Sequence, residues 1–194
     1  MPEPTIVEKV EFGFENGHIA IMKDDGTYEV PVPVKGNVAL ALEAKGEQYT
    51  KYADNMVFFS MEANAGYAGD WTVTFLDKEL EDTLLGKKKS TNGLHVEITN
   101  VVPKHFAFLG QLRTDIGKGR LCWYDCTLGR PKIDLKTTEE NIETKDRVYP
   151  ITIATIKVAD ENAVYARIDS TDTANKATYD GFFEEVVLPI WSTP

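Results

Sequence analysis

The sequence predicts a mainly β protein, a β-sandwich or rolled sheet with one or two short helices. Three observations carry this. Apolar and polar residues alternate with a period of two along most of the chain, Asp, Asn and Gly turns separate the alternating runs, and one segment alone, KELEDTLL, shows a clear helical face. With 42% hydrophobic residues among 194, the chain can bury a proper core. No repeat, low-complexity tract or linker divides it, so residues 1–194 read as one domain.

The alternation starts at Val7 and runs through Phe14. HIAIM, DDG and TYEVPV then read as a hairpin turning at Asp25-Gly26. Val38, Leu40 and Leu42 mark the next strand, after which EQYTKYA and NMVFFSMEA form a pair leading through NAGYAG into WTVTF. Asp77 is placed to cap the helix KELEDTLL, with Glu79, Glu81 and Asp82 near its positive end and Gly86 as its stop. Two to three turns cannot hold alone, so this helix must pack on a sheet. KKKSTNG reads as a solvated loop. Strands are expected again at LHVEITNVV, then at HFAFLGQLRT and GRLCWYDCTL joined through DIGKG. KIDLKTTEENIETKD is polar and loop-like, and YPITIATIKV and AVYARID follow as strands. Asp172 is placed to cap a short helix through TANKATYD before the closing FFEEVVLPI, a C-terminal arm of about 171–194.

The net charge of -10 argues against a protein that grips nucleic acid, which normally carries a basic footprint. Residues 1–70 sum to -7, residues 71–130 to +2 and residues 131–194 to -5. Such polarity either steers one copy onto another or is a solvated surface with accidental clustering. No apolar run approaches the roughly 18 residues needed to cross a bilayer, and MPEPTIVEKVEF lacks a leader's basic and apolar regions, so a cytoplasmic product without membrane contact is expected. The two cysteines, Cys122 and Cys126 in CWYDC, lack the two-residue gap of redox and zinc motifs. On a regular strand they share one face about 13 Å apart, too far for a mutual disulfide, and read as buried thiols.

A search for chemistry finds none. HVE at 95–97 with the later cysteines loosely echoes a zinc deaminase but lacks the required cysteine spacing, and His95 and Glu97 can simply pair on one strand face. IGKGR lacks the spacing and the Ser/Thr of a phosphate loop. Asp24-Asp25, Glu139-Glu140 and Glu184-Glu185 serve hydrolysis only if the fold opposes two of them. No catalytic, metal or cofactor residue is therefore expected. The aromatics lead elsewhere: Phe58, Phe59, Tyr67, Trp71 and Phe75 crowd a short stretch between acidic flanks, where a run apolar on both faces needs a second covering layer.

KYADNMVFFSMEANAGYAGDWTV carries a YAD, an aromatic pair and an N-x-GY-x-G series, the short helix ends in LLG, and CWYDCTLGRPKIDLKTTEENIET carries a Tyr, Cys, Arg-Pro and Lys-Thr-x-Glu-Glu-x-Ile-Glu order. In this order and spacing, covering most of residues 36–150, the chain resembles the major tail (tail tube) proteins of long-tailed, siphovirus-type phages of Gram-positive bacteria. VVPKHFAFLGQLRT is less typical of that family, and beyond residue 160 the likeness is loose, at YDGFFEEVVLP.

The resemblance implies a tail-tube-like fold and a structural virion subunit, not an enzyme, forming hexameric rings that stack into the conduit for DNA ejection. Implied partners are further copies of itself and other tail proteins such as tape measure and tail completion proteins, with assembly in the host bacterial cytoplasm and a final place in the virion tail. Four strands from each of six subunits, spaced about 4.8 Å and tilted about 40°, close at a backbone diameter of roughly 48 Å. Side chains narrow the bore to about 35–40 Å, so a duplex roughly 20 Å wide passes through the lumen without specific binding. Lumen-facing positions are expected to be net acidic, since carboxylates repel phosphates. A hairpin arm at about 46–64 is expected to reach a neighbour, with Tyr52, Met56, Phe58, Phe59, Met61 and Tyr67 at the subunit interface; the opposing expectation is an ordinary hairpin of the subunit's own core. Two other readings stay open. One is a carbohydrate-binding sandwich module using Trp71, Trp123 and Trp191, and the other is a tube component of a phage-tail-like secretion system.

Overall fold

A computed structural model describes residues 10–135, 137 and 145–191. The chain runs β1 (Glu11–Ile21), β2 (Val32–Pro33), β3 (Asn37–Ala44), β4 (Gln48–Ala53), β5 (Met56–Glu62), β6 (Tyr67–Val73), α1 (Lys78–Leu85), β7 (Lys88–Lys89), β8 (His95–Val96), β9 (Phe106–Thr114), β10 (Lys118–Leu128), β11 (Arg147–Ala154), β12 (Ile156–Val158), β13 (Glu161–Ala163), β14 (Tyr165–Asp169) and α2 (Lys176–Asp180). It is mainly β and antiparallel throughout, as its alternating pattern predicts.

The main sheet follows the order β2-β1-β9-β10-β11-β6-β3, with β14 also paired to β10. It rolls until its two ends meet. A Cβ on Gly17 of β1 would lie 2.6 Å from the Asn37 side chain, so β1 must be bare there to let β3 approach, just where the Val34 amide extends the β2–β1 ladder by donating to the Gly17 carbonyl at 2.8 Å. Inside the roll, Trp71, Phe108, Trp123 and Tyr149 form an aromatic centre, with Trp71 edge-on to Phe108 at 5.3 Å. Helix α1 plugs one end by burying Leu84 against this cluster. Its caps are those the sequence predicts: the Asp77 carboxylate accepts from the Glu79 and Leu80 amides, and Gly86 takes the left-handed conformation at φ 68°. The opposite end is a cavity of about 430 Å³ walled by Phe14, Leu40, Tyr67, Leu112, Trp123 and Tyr165.

The outer face of β1, β9 and β10 is covered by the chain's own C-terminal segment. Phe182 is buried beside Ala20, Ala107, Leu109, Cys122 and Tyr124, and the Tyr124 hydroxyl donates to the Val187 carbonyl at 3.0 Å. The Arg120 guanidinium lies between the rings of Tyr179 and Phe183, 4.0 and 4.8 Å from their centroids. Residues 182–187 are thus folded back on the subunit.

Four local expectations are corrected. Cys122 and Cys126 are both buried free thiols but lie on opposite faces, Cys122 in the outer cluster and Cys126 in the inner one. A β-bulge in β10 between Trp123 and Cys126 inverts the alternation there. LHVEITNVV supplies only the two residues of β8; Asn100 stands at φ 67° and Pro103 lacks an amide, which ends any longer ladder. His95 and Glu97 do not pair with each other, because His95 meets Asp82 and Glu97 meets Arg130. Asp172 accepts amide bonds from Ala174 and Asn175, one turn ahead of α2, whose cap position is Asn175. Most of the KTTEENIE stretch lies outside the described residues.

Candidate functional site

Strands β4 and β5 pair only with each other. They continue the β3–β6 hairpin past the edge of the main sheet: the Lys45 amide donates to the Gly66 carbonyl and the Ala63 amide to the Glu47 carbonyl. The root is narrow, since a Cβ on Gly46 would lie 1.9 Å from the Ala63 carbonyl oxygen and one on Gly66 2.0 Å from that of Ile153. Asp54 and Asn55, at φ 51° and 61°, make the tip, a turn of the type that suits the twist of a two-residue hairpin. Ten residues from Ala44 to that tip reach about 33 Å at strand rise.

The arm carries apolar bulk into open solvent. Tyr49, Tyr52, Met56, Val57, Phe58, Phe59 and Met61 are all exposed, Phe58 most of all at 73%. Its register explains why. Lys51 pairs with Phe59 and Tyr52 with Val57, leaving Phe58 as the extra residue of a bulge. Phe59 leans on Tyr49 across the hairpin at 6.5 Å between centroids, while Phe58 has no ring neighbour among the described residues. Of the six residues expected at an interface, Tyr52, Met56, Phe58, Phe59 and Met61 lie together on this arm. Tyr67 does not, for it begins β6 and packs half-buried against the inner cluster.

Chemistry finds no comparable constellation. Among the described residues no three His, Cys, Asp or Glu side chains come together as metal ligands. Asp24, Asp25, Glu184 and Glu185 are exposed, whereas Glu139 and Glu140 lie outside the described residues. Burial pushes both cysteine thiols up, away from the reactive thiolate. The sugar-stacking tryptophans fare poorly: Trp71 is fully buried and Trp123 nearly so, leaving Trp191 alone exposed. No described helix is long and apolar enough to cross a membrane.

Compared with known proteins, the sequence matches no family profile and no curated chain. The resemblance drawn from the sequence rests on short ordered motifs, which fall on the arm, its root, the end of α1, β10 and the stretch after β10, part of which lies outside the described residues.

Signals that sequence reading passed over include Tyr49 and Val57, whose alternation alone does not tell a solvent face from a core face. The apolar loops around Val102 and Ile133 were equally missed, because isolated apolar residues in loops carry no period.

Proposed function

We propose that this protein is a structural subunit that assembles with copies of itself into hexameric rings stacked as a hollow tube, the major tail protein of a long-tailed phage. One observation carries the reading: an arm about 33 Å long with seven large apolar side chains that the described residues of its own chain leave uncovered. An isolated two-stranded hairpin is marginal in water, so such a surface has a use only when something covers it.

Magnitudes set the mode of assembly. Burying seven such side chains gains on the order of 10 kcal/mol or more. Association costs about 4–15 kcal/mol in lost freedom. One arm contact is thus close to balanced, and the reading requires several contacts per subunit, as a closed ring with stacked neighbours provides. The net charge of -10 suits a conduit that must not hold DNA, with acidic residues facing the lumen. Assembly would take place in a bacterial host and end in the virion tail, alongside tape measure and completion proteins.

Negative-stain microscopy of the concentrated protein tests this reading. Rings or tubes with a central hole are expected, and a protein that stays monomeric at every concentration and after seeding with tail tips overturns it. A tube component of a secretion system shares these contacts and is separated by its genome neighbours.

A further inference from the structure

The arm leaves one end of strands β3, β6 and β11, at Ala44, Tyr67 and Ile153. The other end of the same strands, at Asn37, Val73 and Arg147, carries a second apolar surface that the described residues leave uncovered. There the loops at 94–102 and 130–135 are gathered around α1. His95 meets Asp82, Arg130 meets Glu97 at 2.7 Å, Lys145 reaches the Asp134 carbonyl, and Val101 fills the space beside Gly86. Leu94, Val102, Ile133 and Leu135 are exposed in these loops, Leu135 at 90%, with Phe75 exposed beyond the end of β6.

Resting on the tube reading, we propose that these helix-end loops are the surface on which the arm of a second copy docks. Two observations favour that occupant. The first is geometry. The arm and the loops are different surfaces at opposite ends of the same strands, so their union repeats head to tail and propagates, whereas a self-complementary patch would close as a pair.

The second is charge. Residues 46–64 sum to -2, and within them Glu47 and Asp54 have no ion-pair partner among the described residues. Residues 86–104 sum to +3 and residues 130–135 to +1, with Glu97 and Asp134 counted. The carboxylates of α1 facing this end are already engaged. Glu81 binds Lys87 and Arg147, Asp82 binds His95, Glu79 binds Lys89, and Asp77 caps the helix. Lys78, Lys88 and Lys132 are exposed with no carboxylate partner among the described residues, and Lys145 bonds only a carbonyl. Against them stand two exposed carboxylates without a cation among the described residues, Asp134 and Asp146, so the charge on offer is net positive.

Cross-linking tests the docking without touching its apolar residues. Native Cys122 and Cys126 are buried, so a Ser60→Cys, Thr99→Cys double variant presents one reactive thiol on the arm and one on the loops. A short bismaleimide should then give a ladder of dimers, trimers and higher species under denaturing conditions, while each single variant stops at the dimer. Lys88→Glu with Lys132→Glu should cut the ladder at least tenfold, and Glu47→Lys with Asp54→Lys added should restore it. Tubes that form without a ladder overturn the docking and leave the tube reading standing. A ladder from a protein that never forms rings or tubes upholds the docking and overturns the tube. Charge reversal without effect removes the electrostatic match on which the choice of occupant rests and overturns the docking.

Discussion

The Trp71 indole nitrogen donates to the Asn37 side-chain oxygen at 2.9 Å, and the Asn37 amide nitrogen donates in turn to the Val34 carbonyl at 2.6 Å. Trp71 is fully buried, so its N–H has no access to water. This pair ties β6 to the start of β3, where Asn37 also closes on Gly17 of β1, toward the end of these strands that lies away from the arm. One stretch, KYADNMVFFSMEANAGYAGDWTV, therefore supplies both the anchor of the core and the surface outside it.

Asn37→Ala should destabilise the subunit by about 1–3 kcal/mol, because it leaves a buried indole donor unpaired. Chemical denaturation reads this as a lower midpoint at unchanged slope. Asn37→Asp should recover part of the loss, since a carboxylate oxygen still accepts from the indole.

Phe58→Ser with Phe59→Ser should leave the unfolding midpoint of the monomer within about 0.5 kcal/mol of the parent, as for surface changes away from special features. Assembly, followed by light scattering and microscopy, should fail. A variant that unfolds instead would place both rings in the subunit's own core, contrary to their exposure.

How much of this was legible in the sequence depends on whether the signal was local. The α1 caps, Asp77 and Gly86, were readable because capping is settled within a turn. The strands around Phe108 and Ile151 were readable because alternation records a buried face. The faces of Cys122 and Cys126 were not, since a bulge changes the phase without changing composition. The exposure of Phe58 was foreseeable only as a question, because an apolar run looks the same whether its cover is the same chain or another. Arg120, which holds the C-terminal segment, left no trace in the sequence, since its partners lie about 60 residues away.

Arg120→Ala should free that segment. The guanidinium stacks on Tyr179 and Phe183, donates to the Tyr179 and Asp180 carbonyls, and reaches Gln111 at 3.3 Å. Cation–π contact contributes about 0.5–2 kcal/mol and bonds from a charged donor a similar amount. Limited proteolysis should cut first within residues 182–188, with the strands flanking Phe108 still protected. Arg120→Lys should behave much like Arg120→Ala, because an ammonium cannot stack between two rings and reach both carbonyls.

The Glu15 carboxylate tests how stability follows pH. Arg113 donates to it from Nε at 2.8 Å and lies 2.7 Å away through Nη2, Gln111 donates at 2.7 Å, and Lys118 stands 3.3 Å off. Hydrogen bonding from Arg113 is the largest cause holding its pKa at about 2, below the ordinary 4.5, against a smaller opposing effect of burial. A folded pKa below the unfolded one means the contribution is fully present above about 4.5 and disappears as pH falls through about 2. The side chain is partly exposed, so solvent screening limits the effect to about 1 kcal/mol or less. Glu15→Gln should therefore lower the urea midpoint slightly at pH 7, and the gap to the parent should narrow as pH falls below 4.5 and close near 2. A gap that stays constant across that range would show that the pair contributes through packing alone.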